Sequence, residues 1–261
     1  MMAVSISKAW DETSQFVRRE RKLILPIVLA LLVVPAVLVA LVQPSAPAGQ
    51  QPPAGPWLFL AFASLFLSLV GQLTVMRLAL GWAAKVSDAL RIALVRVWTV
   101  LAAFLILALI VSVVATPVLL LAGVGGGGAT TESSQLAVST LVVALLLVIA
   151  RFVPMSSIAL LEPIGPWPLL KRCWELTRGS YWRLLGFFLT FLVGSLILGW
   201  VVESVAGVTF ALLLGPSEPF TVSRLLSALA AGLVQGAVQT VYSVMVARIA
   251  AQVVPAPSRG T

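Results

Sequence analysis

Carboxylates, amides and arginines set within long apolar runs are the places where this chain could carry chemistry. Glu203 and Glu162 would be leads to a proton or ion pathway if they lay deep in a bilayer. Each instead falls at an edge, Glu203 at the external end of the fifth apolar run and Glu162 at the cytoplasmic end of the fourth, where interfacial solvation accounts for it. Arg151 precedes Glu162 by 11 positions, about 16 Å of helical rise, so the two cannot pair on one straight helix. Pro154 lies between them and leaves a bent pairing open. Gln235 and Gln239 share a helix face at i and i+4, beside Ala228, Gly232, Gly236 and Thr240 at four-residue spacing. That pattern predicts close helix packing through Gly232, Gly236, Gln235 and Gln239; a polar translocation path lined by Gln235, Gln239, Gln72 and Thr74 is the alternative. The chain has no histidine and a single cysteine, Cys173, so the commonest general base and a thiolate metal cluster are both missing. No catalytic residue, metal site or cofactor is expected.

The elements that would position these groups follow from composition. Of 261 residues, 60% are hydrophobic and 10% charged, too little polar surface to cover a soluble globule. Six runs reach the roughly 20 residues a helix needs to cross a bilayer: Leu23 to Val42, Trp57 to Met76, Trp98 to Ala122, Leu136 to Pro154, Leu184 to Val202 and Leu225 to Ala247. They lack period-2 alternation, so helices rather than barrel strands are expected. The net charge of +8 sits beside these runs, as topology signals do, which argues against nucleic acid.

Lys8, Arg18, Arg19, Arg21 and Lys22 precede the first run; Arg77, Lys85, Arg91 and Arg96 follow the second; Lys171, Arg172, Arg178 and Arg183 follow the fourth. The intervening connections carry no charge, Glu132 alone, and Glu203, Glu218 and a single Arg224. The positive-inside rule makes the basic segments and both termini cytoplasmic, in a plasma (bacterial inner) membrane. A cleavage site at Ala46-Pro47-Ala48 is disfavoured by a 22-residue n-region that contains Asp11, Glu12 and Glu20 and by a full-length first run. The Pro/Ala/Gln stretch and the glycine run Gly125 to Gly128 read as flexible external loops, and the latter lacks the lysine of a phosphate cradle.

Three stretches share one helical face pattern: Ile6, Ala9, Trp10, Thr13, Val17; Val86, Ala89, Leu90, Ala93, Val97; and Leu170, Cys173, Trp174, Thr177, Tyr181. Offsets of 80 and 84 residues define a unit of one amphipathic interfacial helix plus a transmembrane hairpin, repeated three times over residues 4-80, 84-161 and 168-253 of a single membrane domain, 1-261. Arg77, Arg151 and Arg248 recur toward the cytoplasmic end of the second helix in each unit. They read as snorkelling anchors at headgroup level, or as a basic vestibule about a pseudo-threefold centre. The amphipathic helices read as a structural collar or as lipid-surface elements.

The segment Pro168-Leu-Leu-Lys-Arg-Cys-Trp-Glu-Leu-Thr-Arg-Gly-Ser-Tyr-Trp-Arg-Leu-Leu-Gly186 resembles bacterial proteins grouped with the membrane domain of glycerophosphoryl diester phosphodiesterase, over residues 166 to 193 and more loosely elsewhere. The resemblance implies six or so helices and a stand-alone membrane module. The catalytic barrel of those enzymes, with its histidines and divalent metal, has no counterpart here. The expectation is therefore an all-α, non-enzymatic integral membrane protein that organises or senses lipid or supports a membrane partner or homo-oligomer. Lys171, Arg172 and Arg178, with Arg77, Arg151 and Arg248, would meet anionic headgroups. A transporter or permease-like subunit is the alternative, and needs a polar midplane cavity.

Overall fold

In a medium without water every backbone N–H and C=O must be satisfied within the chain, and the apolar runs do this as helices. The computed structural model describes residues 6–44, 52–81, 85–121, 131–162, 164–215 and 220–253. Among them the helices are α1 (Ile6–Arg19), α2 (Arg21–Val28), α3 (Val34–Val42), α4 (Trp57–Ala79), α5 (Val86–Leu121), α6 (Thr131–Phe152), α7 (Met155–Leu161), α8 (Pro166–Thr177), α9 (Tyr181–Leu214) and α10 (Val222–Val253). A π turn, Leu29–Val33, joins α2 to α3. It lies just ahead of Pro35, whose ring and missing N–H already disturb the local ladder. Six segments are long and apolar enough to cross a membrane, with α2 to α3 counted as one and α6 to α7 as another. This is the architecture of a multi-pass membrane protein. Ala46-Pro47-Ala48, Gly125 to Gly128, Glu218 and Arg259 lie outside the described residues.

Element ends differ from the hydropathy reading for local reasons. No glycine or proline separates Val86 from Trp98, so the second amphipathic stretch and the third span form one continuous helix of 36 residues. The third stretch does break. Its α8 ends at Thr177, and a turn through Arg178, Gly179 and Ser180 places Tyr181 at the start of α9. The expected single stripe from Leu170 to Tyr181 is thus shared by two helices. Pro154 breaks the fourth span between α6 and the short α7. Helix α9 runs 34 residues, about 51 Å, well past the roughly 30 Å hydrocarbon core. It ends at Gly215, whose φ of 90° lies in the left-handed region.

Tight packing is concentrated at the basic end of the bundle, the end that carries α1, α8 and the C-terminus of α10. There Leu73 and Met76 of α4, Met155 and Ile158 of α7, and Val244 and Ile249 of α10 are fully or almost fully buried. The opposite loop end is splayed, with Leu105, Leu109 and Val113 of α5 and Leu196, Val205 and Leu212 of α9 exposed. Span one is threaded between α4 and α10. A Cβ on Gly236 would lie 2.9 Å from Val33 Cγ2, and one on Gly232 would lie 3.3 Å from both Val33 Cγ1 and Val37 Cγ2. The two glycines therefore let the backbones approach, as small residues do in lipid.

Candidate functional site

Helix α9 presents Gly186, Thr190, Gly194 and Leu198 at four-residue spacing, hence on one face. Beside them α10 presents Ala237, Val238, Val241 and Met245, and the two faces line a groove of about 800 Å³. That volume falls within the range of small-molecule sites. The groove owes its width to the glycines, since a Cβ on Gly186 or Gly194 would meet nothing within 4 Å. Phe187 stacks on Tyr242 at 6.2 Å and Phe191 tilts against the same ring at 5.0 Å, a rigid aromatic wall along one side. From Arg183 to Leu198 the helix rises about 22 Å, longer than half of a 30 Å hydrocarbon core.

The mouth lies at the basic end, where α1 crosses it with Ile6, Ser7, Trp10 and Asp11 opposite Trp182 and Arg183. Trp10 is 53% exposed and Trp182 78%, as amphipathic rings at a membrane interface are. The site is thus an apolar slot with a mouth that carries both signs of charge. Helix α1 is held over it by its buried Ala9 and Thr13, and Thr13 donates to the Ala9 carbonyl at 2.7 Å. Glu12 reaches Arg248 of α10 at 3.8 Å, and that guanidinium lies 5.7 Å from the Phe16 ring.

The arginines singled out from the sequence have separate partners within the protein. Arg151 stacks on Trp174 at 3.8 Å and lies 4.9 Å from Tyr181, a double cation–π contact that ties α6 to α8 and α9. Arg77 donates to the Leu160 carbonyl at 3.4 Å, and Arg248 engages α1. These contacts lie at three different places in the bundle. On α8 the three basic side chains divide: Lys171 and Arg178 are exposed, whereas Arg172 folds back to Glu162 at 3.2 Å. Glu162 therefore meets Arg172 rather than Arg151. Gln235 lines a second cavity with Glu203, but Gln72, Gln239 and Thr74 do not, and Thr74 donates to the Val70 carbonyl of its own helix. Among the described residues no three His, Cys, Asp or Glu side chains gather closely enough to hold a metal ion.

Cys173 is fully buried, and burial, reinforced by the nearby negative charge of Glu162, pushes its thiol up to about 12. The unfolded thiol ionises near 9. The folded state therefore keeps its proton through the alkaline range in which the unfolded chain loses its own, and stability falls as pH rises above 9. Below that range the native thiol is protonated and inaccessible, an unreactive group.

The groove on α9 is absent from the sequence reading, although the stripe from Gly186 to Leu198 has the same four-residue spacing that drew attention to Gly232 and Gly236. The difference between a stripe that is filled and one that stays open is set by what packs on it. No family model, no curated protein and no solved structure matches this chain.

Proposed function

We propose that this chain is a non-enzymatic multi-pass protein of the plasma (bacterial inner) membrane, with both termini cytoplasmic, that holds and organises phospholipid at its basic end. The observation that carries the reading is the 800 Å³ groove, apolar along its length and charged at a tryptophan-flanked mouth. One acyl chain fits the slot, and Arg183 and Asp11 face the headgroup. Lys171 and Arg178 add positive charge on the same face of the bilayer, worth about 1 kcal/mol each toward anionic lipid. Transport receives less support, because, of the residues it would need, only Gln235 lines the cavity beside Glu203.

The three-unit repeat is part of the same proposal. It is supported by a cyclic pattern in which the second helix of each unit packs on the first helix of the next: α4 on α5, α6 on α8, and α10 on α1. Arg151 and Arg248 cross two of those joints. We read residues 166 to 193 as resembling phosphodiesterase membrane domains, which supports a membrane module.

Lipid retention tests the groove. Protein carrying Gly186→Leu and Gly194→Leu fills it without a clash, since both Cβ positions are open. Native mass spectrometry after mild detergent extraction is expected to show about tenfold less of the phospholipid-bound species than wild type, with an unchanged melting temperature. Equal retention overturns the proposal. Orientation is tested against the silent background of Cys173: cysteines at Ala54 and Phe220 are expected to label with an impermeant maleimide in intact cells, and those at Ser87 and Gly179 only after lysis. The opposite pattern reverses the topology.

A further inference from the structure

At the loop end, on the other side of the α9/α10 pair, a second cavity of about 290 Å³ lies between α3, α9 and α10. Its walls are mostly small, with Ala36 and Ala40 from α3, Gly199 from α9, and Ala228, Ala231 and Gly232 from α10. Two polar side chains line it, Glu203 and Gln235. Only two acidic residues fall within the six candidate spans, Asp88 in the first turn of α5 and Glu203, which lies 22 positions into α9. Among the described residues Glu203 makes no ion pair. A carboxylate within a membrane span is stabilised by a cation, and the described residues form no ion pair with it.

Arg224 marks the height of the site. It stands one turn before Ala228 on α10, and its guanidinium donates to the carbonyl of Ala40, a cavity residue, at 2.6 Å. The cavity therefore opens close beneath the level at which span one ends. We propose that this cavity binds the headgroup of a phospholipid bearing a primary amine. The ammonium has three N–H donors, which the Glu203 carboxylate and the Gln235 carbonyl oxygen accept. A quaternary choline headgroup carries the same charge but no N–H, so the site discriminates against it. The small residues leave room for the ammonium and its two methylenes.

The test uses the whole protein in nanodiscs of phosphatidylethanolamine, phosphatidylcholine and phosphatidylglycerol in equal parts, with retained lipids counted by native mass spectrometry. Wild type is expected to retain the ethanolamine lipid at least fivefold over the choline lipid, and Glu203→Gln is expected to bring the ratio to that of the bulk bilayer. Gly199→Leu provides a second arm, because a Cβ there meets nothing within 4 Å and the side chain fills the cavity without disturbing the fold. It should abolish the preference as well. The protein carrying Gly186→Leu and Gly194→Leu should keep the preference, which separates this site from the groove at the basic end. Equal retention of the two lipids by wild type, a preference that survives both Glu203→Gln and Gly199→Leu, or a protein bound at Glu203 in place of lipid overturns the proposal.

Discussion

Replacing Gly71 by leucine is expected to abolish the native fold or to lower its melting temperature by more than the loss of any one polar contact in the bundle. Span one lies against α4 at this point, and a Cβ on Gly71 would fall on Leu32 Cδ1 well inside van der Waals contact and 3.0 Å from Leu31 Cβ. The Leu32 terminus can rotate away. The Leu31 Cβ cannot, because it moves only with its backbone, so the leucine must push span one out of its place. On the other side the same span meets Gly236, whose Cβ would lie 2.9 Å from Val33 Cγ2 and 3.2 Å from Val28 Cγ1. Valine is stiff about χ1, which leaves the backbone as the only part that can yield. Overpacking of this kind costs about 1–3 kcal/mol per site, and more where the backbone is driven apart. Size-exclusion profiles and thermal unfolding in detergent should show Gly71→Leu and Gly236→Leu aggregated or melting far below wild type. Gly194→Leu, at an open position, should match wild type. A Gly71→Leu protein that melts normally would mean that span one does not lie between α4 and α10.

Arg224→Ala is expected to have the next largest effect. The guanidinium closes the C-terminal end of span one, with Nε donating to the Ala40 carbonyl at 2.6 Å and Nη2 to the Gln43 carbonyl at 2.7 Å. The last carbonyls of a helix have no partner within it and carry the negative end of its dipole, so a cation there is doubly favoured. Charge-assisted bonds contribute about 1.5–3 kcal/mol each, and the two together tie span six to span one across 181 positions of sequence. Loss of roughly 3 kcal/mol is expected for Arg224→Ala, read as a lowered melting temperature and faster proteolysis of the segment after Val42. Arg224→Lys should recover only part of it, because a single ammonium cannot present the planar fork that reaches both carbonyls. Full stability of the alanine variant would show that these bonds contribute nothing net.

Arg224 also illustrates what a linear reading can reach. Counted among charges, it is a lone exception to the basic and non-basic alternation of the connections. Only folding brings it to the end of a helix nearly two hundred residues away. Spans, by contrast, were legible because hydropathy is summed locally: an apolar run of about 20 residues has one way to satisfy its backbone in lipid, whatever its neighbours. Helix ends were less so. The stretch Val86 to Trp98 carries charges that suggest an interfacial segment, yet helix propagation across it meets no breaker, and the helix continues to Leu121. In the third stretch Gly179 and Ser180 supply that interruption between α8 and α9.

The candidate sites divide along the same line. Residue type and spacing by themselves determined that the chain is a set of apolar helices with basic flanks and that Gly232 and Gly236 lie on one face of α10; the end of span five, drawn near Val202 from hydropathy, runs on to Leu214 in the fold and leaves Glu203 within the helix. Tertiary structure decided the rest: that Gly236 is filled by Val33 while Gly194 stays open, that Arg172 turns to Glu162 while Lys171 and Arg178 face outward, and that Arg151 rests on Trp174. The physical reason is that helical periodicity fixes which residues share a face, a property of a few consecutive turns. What meets that face depends on helices distant in sequence, and in lipid, where apolar surface has no preference for protein over acyl chain, local composition carries little information about which faces will be covered.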